Sequence, residues 1–537
     1  MRSPFLFAPA LLLTLAAAGP IDPARIKADV RTLASDAFDG RGPGEKGERP
    51  TIEFIARQMA AAGLQPGGEN GGWFQDVPLV RLDTLPGGRL TVRTRRGGTV
   101  LRGPDLDINP TNPGRTTLTD AELVFAGWGA PDPARGWDAF AGVDVKGKVV
   151  VMLAGDPDLE AGRDLGFGGR ALVFGGRGGA KASAAAKAGA AGVLFIHEEQ
   201  AYSWPYSQVG GSIRVPAFSY APLKTNPLLF SGIVRREAML PLMAQMGMTL
   251  PELKRRARSA AFRAVPLPGT VSLDVVNRAT PVVSHNVVGI LRGSARPSEF
   301  VLYGAHWDAN GHNGPDASGD AIRNGAIDNA TGTAELLEVA RAFAAGPRPQ
   351  RSVVFAAWTS EEKGLLGAEW YAQHPLQPLA RTAVVINLDP HVVLPAARNL
   401  ELIGPGQSDV EGLLIRAAAE QGLRVDPEPS PEAGWYFRSD HFPFAQRGVP
   451  ALAFRAGRDL KVGGRAAGQR IVSAYNARCY HQPCDEFDLK WTYAGTAQEA
   501  LAAFRVGQLL ANSAAWPGWL PGSPYAAART ESAAERR

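Results

Sequence analysis

Apolar and polar positions follow two periods along this chain, and the switches between them mark its organisation. Over residues 23–64 apolar side chains recur at helical spacing, with Ile52, Ile55, Ala56 and Met59 on one face. The turn Asp39-Gly40-Arg41-Gly42-Pro43-Gly44 breaks the pattern, and Gly63 and Pro66 stop it. Short alternating runs such as 89–93 predict strands within 82–110. Between 111 and 269 the texture changes: apolar runs at 123–126, 148–152, 192–196 and 216–220 predict strands, and an Ala-rich helix over 181–191 leads into the third. From about 283 strands and helices alternate, with strands at 286–290, 299–304, 352–357, 383–388 and 449–454. The intervening helices are expected at 330–345, 363–373, 409–422 and 495–512. Leu336, Val339, Ala340 and Phe343 give the first of these a single apolar face. Near-continuous apolar strands between amphipathic helices predict an α/β fold with a mostly parallel sheet covered on both faces. Residues 516–537 are small, polar and charged, and predict a flexible tail.

Composition narrows the class. The 537 residues predict more than one domain. The net charge of +5 is small and dispersed, which argues against a nucleic-acid partner. Arg2 precedes an apolar stretch from Phe5 to Leu15 and the small residues Ala16-Ala17-Ala18-Gly19, so 1–18 reads as a signal peptide of an exported chain, periplasmic or secreted. No other segment approaches the roughly 20 apolar residues of a membrane span, so no stable membrane anchor is expected. Cys479 and Cys484 are the only cysteines, too few for a disulfide scaffold.

The polar residues of the last block fall where chemistry belongs. His306-Trp307-Asp308 follows one expected strand, Glu361-Glu362 another, and Asp389 ends a third. Ligands of open α/β sheets gather outside the carboxyl ends of strands. Asp328 opens a helix that can reach the same crevice, and His481 offers a second imidazole. Singly each has a plain structural role, Asp328 as an N-cap for example. Together, two histidines and three acidic positions at one sheet edge repel one another unless cations are present, and the N/O donor set suits zinc. Adjacent Glu361 and Glu362 can then divide their work, one binding metal and the other serving as general base. By contrast His197, at a strand end beside Glu198 and Glu199, reads as a surface residue, and His312 as a loop residue.

These residues carry a family resemblance. Gly304-Ala-His306-Trp-Asp308, Gly325-Ala-Ile-Asp328-Asn-Ala-Thr-Gly332, Ser360-Glu361-Glu362-Lys-Gly-Leu-Leu-Gly367, Ile386-Asn-Leu-Asp389 and Tyr480-His481-Gln-Pro resemble the M28 family of zinc aminopeptidases, in the family's order. Ser439-Asp440-His441 and Gly448-Val-Pro450 fit as well, as does the opening Leu33-Ala-Ser-Asp36-Ala-Phe-Asp-Gly40-Arg41. The 111–269 block is similar to the protease-associated (PA) domain inserted in many members. The resemblance then implies a catalytic domain of 19–110 and 270–515 with the zinc-exopeptidase, phosphorylase/hydrolase-like fold. It implies two Zn2+ ions on His306, Asp328, Glu362, Asp389 and His481, with Asp328 bridging through a cis Asp328–Asn329 peptide. It makes Glu361 the general base, has Asp308 orient His306, and has Tyr480 donate to the developing oxyanion. Two departures stand out: Asn329 where many members have Asp, and Pro390-His391 after the ligand Asp389. Arg438 and Asp440 are either substrate-contacting or structural, and His441 a pocket residue.

The expected activity is removal of N-terminal residues from peptides. Alternatives are a carboxypeptidase, which basic residues converging on the pocket would favour, a glutaminyl cyclase, or a non-catalytic ectodomain. In an exported chain Cys479 and Cys484 are expected to form a disulfide holding Tyr480 and His481. The competing readings are a thiolate zinc ligand or two free thiols.

Overall fold

A computed structural model describes residues 20–132, 136–202, 204–207 and 216–536. The segment 1–18 read as a signal peptide lies outside them. Four parallel strands form the centre of the main sheet, in the order Ala451–Ala456, Thr382–Asn387, Arg296–His306 and Arg351–Trp358. Asn399–Leu402 and Arg424–Pro427 extend one side, and the end of Val265–Leu291 pairs antiparallel on the other. Every residue of Arg351–Trp358 and of Thr382–Asn387 is buried, the condition that makes their sequences continuously apolar.

Helices cover both faces. Gly332–Ala345 and Ala494–Ala511 pack on one, joined by the N-terminal helices Pro23–Leu33 and Glu48–Ala61. Leu336, Val339, Phe343, Phe504, Ile26, Val30, Ile52 and Ile55 share one core there. The other face buries Trp358, Val354 and Val385 under Leu366–Gln373 and Phe444. Gly332 begins its helix against the carbonyl oxygen of Leu388, a space that any Cβ would fill. That close approach brings the start of the helix to the end of the strand bearing Asp389.

The inserted domain has its own parallel strands, Gly114–Phe125, Val149–Leu153, Gly192–Ile196 and Phe230–Val234, with Leu106–Pro110 antiparallel at the edge. The Ala-rich helix runs Gly178–Lys187, beginning earlier and ending sooner than expected.

Three expectations need correction. Residues 82–110, expected in the catalytic domain, supply Leu90, Val92, Leu101 and Leu106 to one core with Val149, Leu194, Phe230 and Leu253 of the insert. The expected boundary at 269/270 falls inside the strand Val265–Leu291, 27 residues that pair with Gly114–Phe125 at one end and Arg351–Trp358 at the other. Prolines 266, 268 and 281 hide this strand from pattern reading, because proline cannot donate to a ladder. Finally, the tail is docked. Arg529 is buried and donates to the carbonyls of Thr382 and Ala383 at 3.0 and 3.3 Å, and the Trp519 indole donates to Gly448 O at 2.9 Å. Its last turns are Ala526–Glu531 and Ser532–Arg536. Among the described residues no helix is long and apolar enough to cross a membrane.

Candidate metal centre

Each chemical side chain sits where a strand or helix ends. His306 is the last residue of Arg296–His306. Glu361 and Glu362 lie in the turn after Arg351–Trp358, and Asp389 stands two residues beyond Thr382–Asn387. Asp328 occupies a π-helical turn, Ala326–Thr331, ahead of Gly332–Ala345, and its peptide bond to Asn329 is cis. His481 follows the helix Gly464–Arg478, between Cys479 and Cys484, which form a disulfide with Cα atoms 5.1 Å apart.

The five residues expected to bind metal converge as two groups that share Asp328: His306, Asp328 and Asp389, and Asp328, Glu362 and His481. His306 Nε2 lies 3.3 Å from Asp328 Oδ1 and 3.7 Å from Asp389 Oδ1. His481 Nε2 lies 3.2 Å from Asp328 Oδ2 and 3.1 Å from Glu362 Oε2. The two carboxylate oxygens of Asp328 thus face different groups. Glu361 belongs to neither group, although its Oε2 is 3.9 Å from His306 Nε2.

The donor set fits metal. His306 Nε2 and Glu362 Oε1 are buried without a hydrogen-bond partner, a costly state unless a cation completes them. Glu361 is pushed well above the ordinary carboxylate range by burial and by Asp440, Asp389 and Glu362, against the pull of His306. Cations in the two groups would draw it back toward a basic, ionised form. His312 is exposed on a two-residue strand, Gly311–His312, and joins neither group.

The supporting shell differs in detail from expectation. His306 Nδ1 meets the backbone carbonyl of Asp308 at 3.0 Å, while the Asp308 carboxylate is 3.7 Å away. That carboxylate accepts the Glu361 backbone N–H at 3.0 Å instead, so Asp308 positions the base as well as the imidazole. Ser439 Oγ donates to Asp389 Oδ2 at 2.5 Å and accepts from Asn387 at 2.7 Å. Asp440 is fully buried, and both its oxygens are without a hydrogen-bond partner. His441 is fully buried too, yet lines the pocket beside Asp389 and Arg438. The expected surface residue His197 is buried and stacked on Tyr202 at 4.8 Å.

Two supporting residues escaped the sequence reading of the site. Asp485 accepts from the backbone N–H groups of Ile327 and Asp328 at 2.9 and 3.1 Å and from the Tyr475 hydroxyl at 3.1 Å. Arg41 is wholly buried and donates to the carbonyls of Leu33, Trp307, Asn324 and Gly325 at 2.5–2.8 Å. Burial lowers it to about 10, countered by Asp485, Asp308 and Asp328. Position next to Cys484 was the one signal for Asp485; nothing periodic marks it.

A parallel sheet with two groups that could hold metal at its carboxyl edge defines an α/β protein with a candidate metal centre. Residues 286–505 match the model of peptidase family M28 and residues 119–222 that of the PA domain, so the chain carries an M28 peptidase domain with a PA domain inserted ahead of it. Among curated relatives, aminopeptidase NAALADL1 of Mus musculus is 34% identical over 161 residues, 29% of this chain and 20% of that one. A probable zinc metalloprotease of Pyrenophora teres f. teres (strain 0-1) is 43% identical over 109 residues, 20% of this chain and 23% of that one. A glutamate carboxypeptidase 2 homolog of Caenorhabditis elegans is 29% identical over 212 residues, 34% of this chain and 26% of that one. The chain thus spans about a fifth to a quarter of these relatives' lengths. The solved aminopeptidase from Aneurinibacillus sp. strain AM-1 shares the fold, with TM-score 0.53 and 18% identity over 90% of this chain and 93% of that one.

Proposed function

We propose that the protein is an exported dizinc exopeptidase that removes N-terminal residues from peptides. The observation that carries this reading is the pair of metal-binding groups sharing Asp328, with Glu361 beside them and in neither. The names of the relatives, an aminopeptidase and a zinc metalloprotease among them, support it.

Zinc held by His306, Asp328, Asp389, Glu362 and His481 would supply a Lewis acid and a water of lowered pKa. Glu361 accepts the proton of the attacking water and delivers it to the leaving amine. Its place is fixed by the Asp308 carboxylate through the backbone N–H. The Tyr480 hydroxyl accepts from Arg438 Nη2 at 3.2 Å, which leaves its own proton for the oxyanion that develops on the scissile carbonyl. Burial holds Tyr480 well above its ordinary pKa, in the donor form. Trp204, Trp435 and His391, with ring centroids 5.3–6.4 Å from that of Tyr480, wall the site.

Export is supported by the apolar segment before Gly19 and by the Cys479–Cys484 disulfide, a bond that persists in oxidising compartments. The exported chain is expected to begin near Gly19 and to show two alkylatable thiols only after reduction; intact mass reads both.

The deciding experiment pairs metal analysis with a panel of aminoacyl-arylamides and N-blocked peptides. About two zinc ions per chain and hydrolysis confined to free N-termini are expected. Cleavage of N-blocked peptides would make it a carboxypeptidase, one metal with cyclisation of N-terminal Gln a cyclase, and metal without turnover a binding protein.

A further inference from the structure

A second concentration of charge lies at the seam between the two domains. A cavity of about 390 Å3 there is lined by Arg177, Lys181, Tyr202 and Trp204 of the insert and by Arg438 of the catalytic domain. Its lining carboxylate, Asp107, accepts from the Tyr206 hydroxyl. Lys181 is occupied, donating to the carbonyl of Leu153 at 2.9 Å and to that of Gly155.

The two arginines are a different matter. The Arg438 guanidinium is clamped between the rings of Trp204 and Trp435, 4.2 and 4.5 Å from their centroids, which leaves only its edge for a ligand. Its recorded hydrogen bond goes to Tyr480, a neutral group. Among the described residues neither Arg438 nor Arg177 has a carboxylate within ion-pair distance, and Arg177 donates no side-chain hydrogen bond at all. Burial and the like charge of Arg438 push Arg177 down to about 9, against the pull of Glu361. Two half-buried guanidinium groups beside each other, without an acid between them, repel; a planar anion that accepts from both would relieve that repulsion. Arg438 also lines the pocket that holds Asp328, Glu361 and Asp389, so the anion would sit next to the reacting centre.

We propose that Arg177 and Arg438 form a carboxylate-binding subsite, completed by the insert, that selects peptides bearing a carboxylate beside the scissile bond. The carboxylate has two sources, an acidic side chain or a free C-terminus one residue away. The proposal rests on the peptidase reading, and its test separates the two.

Three peptide pairs differ by a single carboxylate: Leu-Gly against Leu-Gly-amide, Glu-Ala-amide against Gln-Ala-amide, and Leu-Glu-amide against Leu-Gln-amide. At least one pair should show a preference for the acid of about 10- to 100-fold in kcat/KM, the range for a charge-assisted contact in a partly desolvated site. The pair that shows it identifies the source. In Arg177→Gln that preference should fall below about threefold, and Arg177→Lys should restore part of it. Equal turnover within every pair by the wild type, or a preference that survives Arg177→Gln, overturns the proposal. A readout without turnover is glutarate binding by calorimetry, expected to weaken about tenfold or more in Arg177→Gln. Hydrolysis of no peptide by the zinc-loaded protein ends the peptidase reading; glutarate binding lost in the variant would still establish the subsite, and equal or absent binding would remove it.

Discussion

At the scale of single residues, the adjacent glutamates give the sharpest contrast. Glu361→Gln should lower turnover by about 10²–10⁴-fold, the usual contribution of a general base, with metal content unchanged. Glu362→Gln should lose metal from the group shared with His481 as well as activity. Equal metal loss in both variants, read by elemental analysis, would break the division of roles. Asp485 makes a subtler case. Its two oxygens accept from consecutive backbone N–H groups at the Asp328 turn, and an amide can serve only one of them. Asp485→Asn should therefore weaken zinc binding by about 10- to 100-fold, as loss of support behind a ligand does. A zinc-chelator competition that returns the wild-type affinity would count against it. The sequence displayed His306, Glu362 and Asp389 because each stands just after an apolar strand, and Asp328 and His481 through the motifs around them. Asp485 and Arg177 have no such frame: one follows a disulfide loop and meets backbone groups far away in the chain, and the other stands in a Gly-rich stretch.

At the scale of elements, the helices Gly332–Ala345 and Ala494–Ala511 press two carboxyl groups into the core. Glu335 and Glu499 are fully buried, and only one of their four oxygens, Glu499 Oε2, meets a donor, the Ala456 N–H at 2.8 Å. Burial raises both, helped at Glu335 by the charge of Glu499 and opposed at Glu499, which rises to about 8, by the Ala456 N–H and Arg455. The folded protein then holds protons that the unfolded chain releases above about pH 4–5. Stability is fully present below that range and falls as pH rises through the folded-state values. Glu335→Gln should flatten the decline between pH 5 and 8, where each differential proton is worth about 1.4 kcal/mol per pH unit; coincident urea profiles for the two proteins would refute this. The C-terminal turns give a second case. Arg529→Met leaves the Thr382 and Ala383 carbonyls without their donor and should cost about 1–3 kcal/mol in the same assay. Composition alone made that segment look unattached, because its anchors are scattered: Arg529 on Thr382 and Ala383, Trp519 on Gly448, Gly518 on Asp409 and Leu520 on Gln407. The central parallel strands, by contrast, were legible, since burial on both faces leaves room for little but apolar side chains; Phe230–Val234, Asn399–Leu402 and Arg424–Pro427, short and mixed in polarity, were not.

At the scale of the whole molecule, the insert and the catalytic domain each own a hydrophobic core, and two cores on a flexible tether melt separately. Here one unbroken strand, Val265–Leu291, belongs to both. A single calorimetric transition is expected, with calorimetric and van't Hoff enthalpies in agreement; two resolved peaks would show that the strand parts at its middle. Because that strand pairs with its neighbours along its length, it works as a beam rather than a hinge. On the peptidase reading the insert is then expected to stay in place rather than swing away, and peptides would meet an opening of constant width. Such an opening would act as a gauge on chain thickness: slender, unfolded ends would pass and folded proteins would stay outside, whatever residues they display.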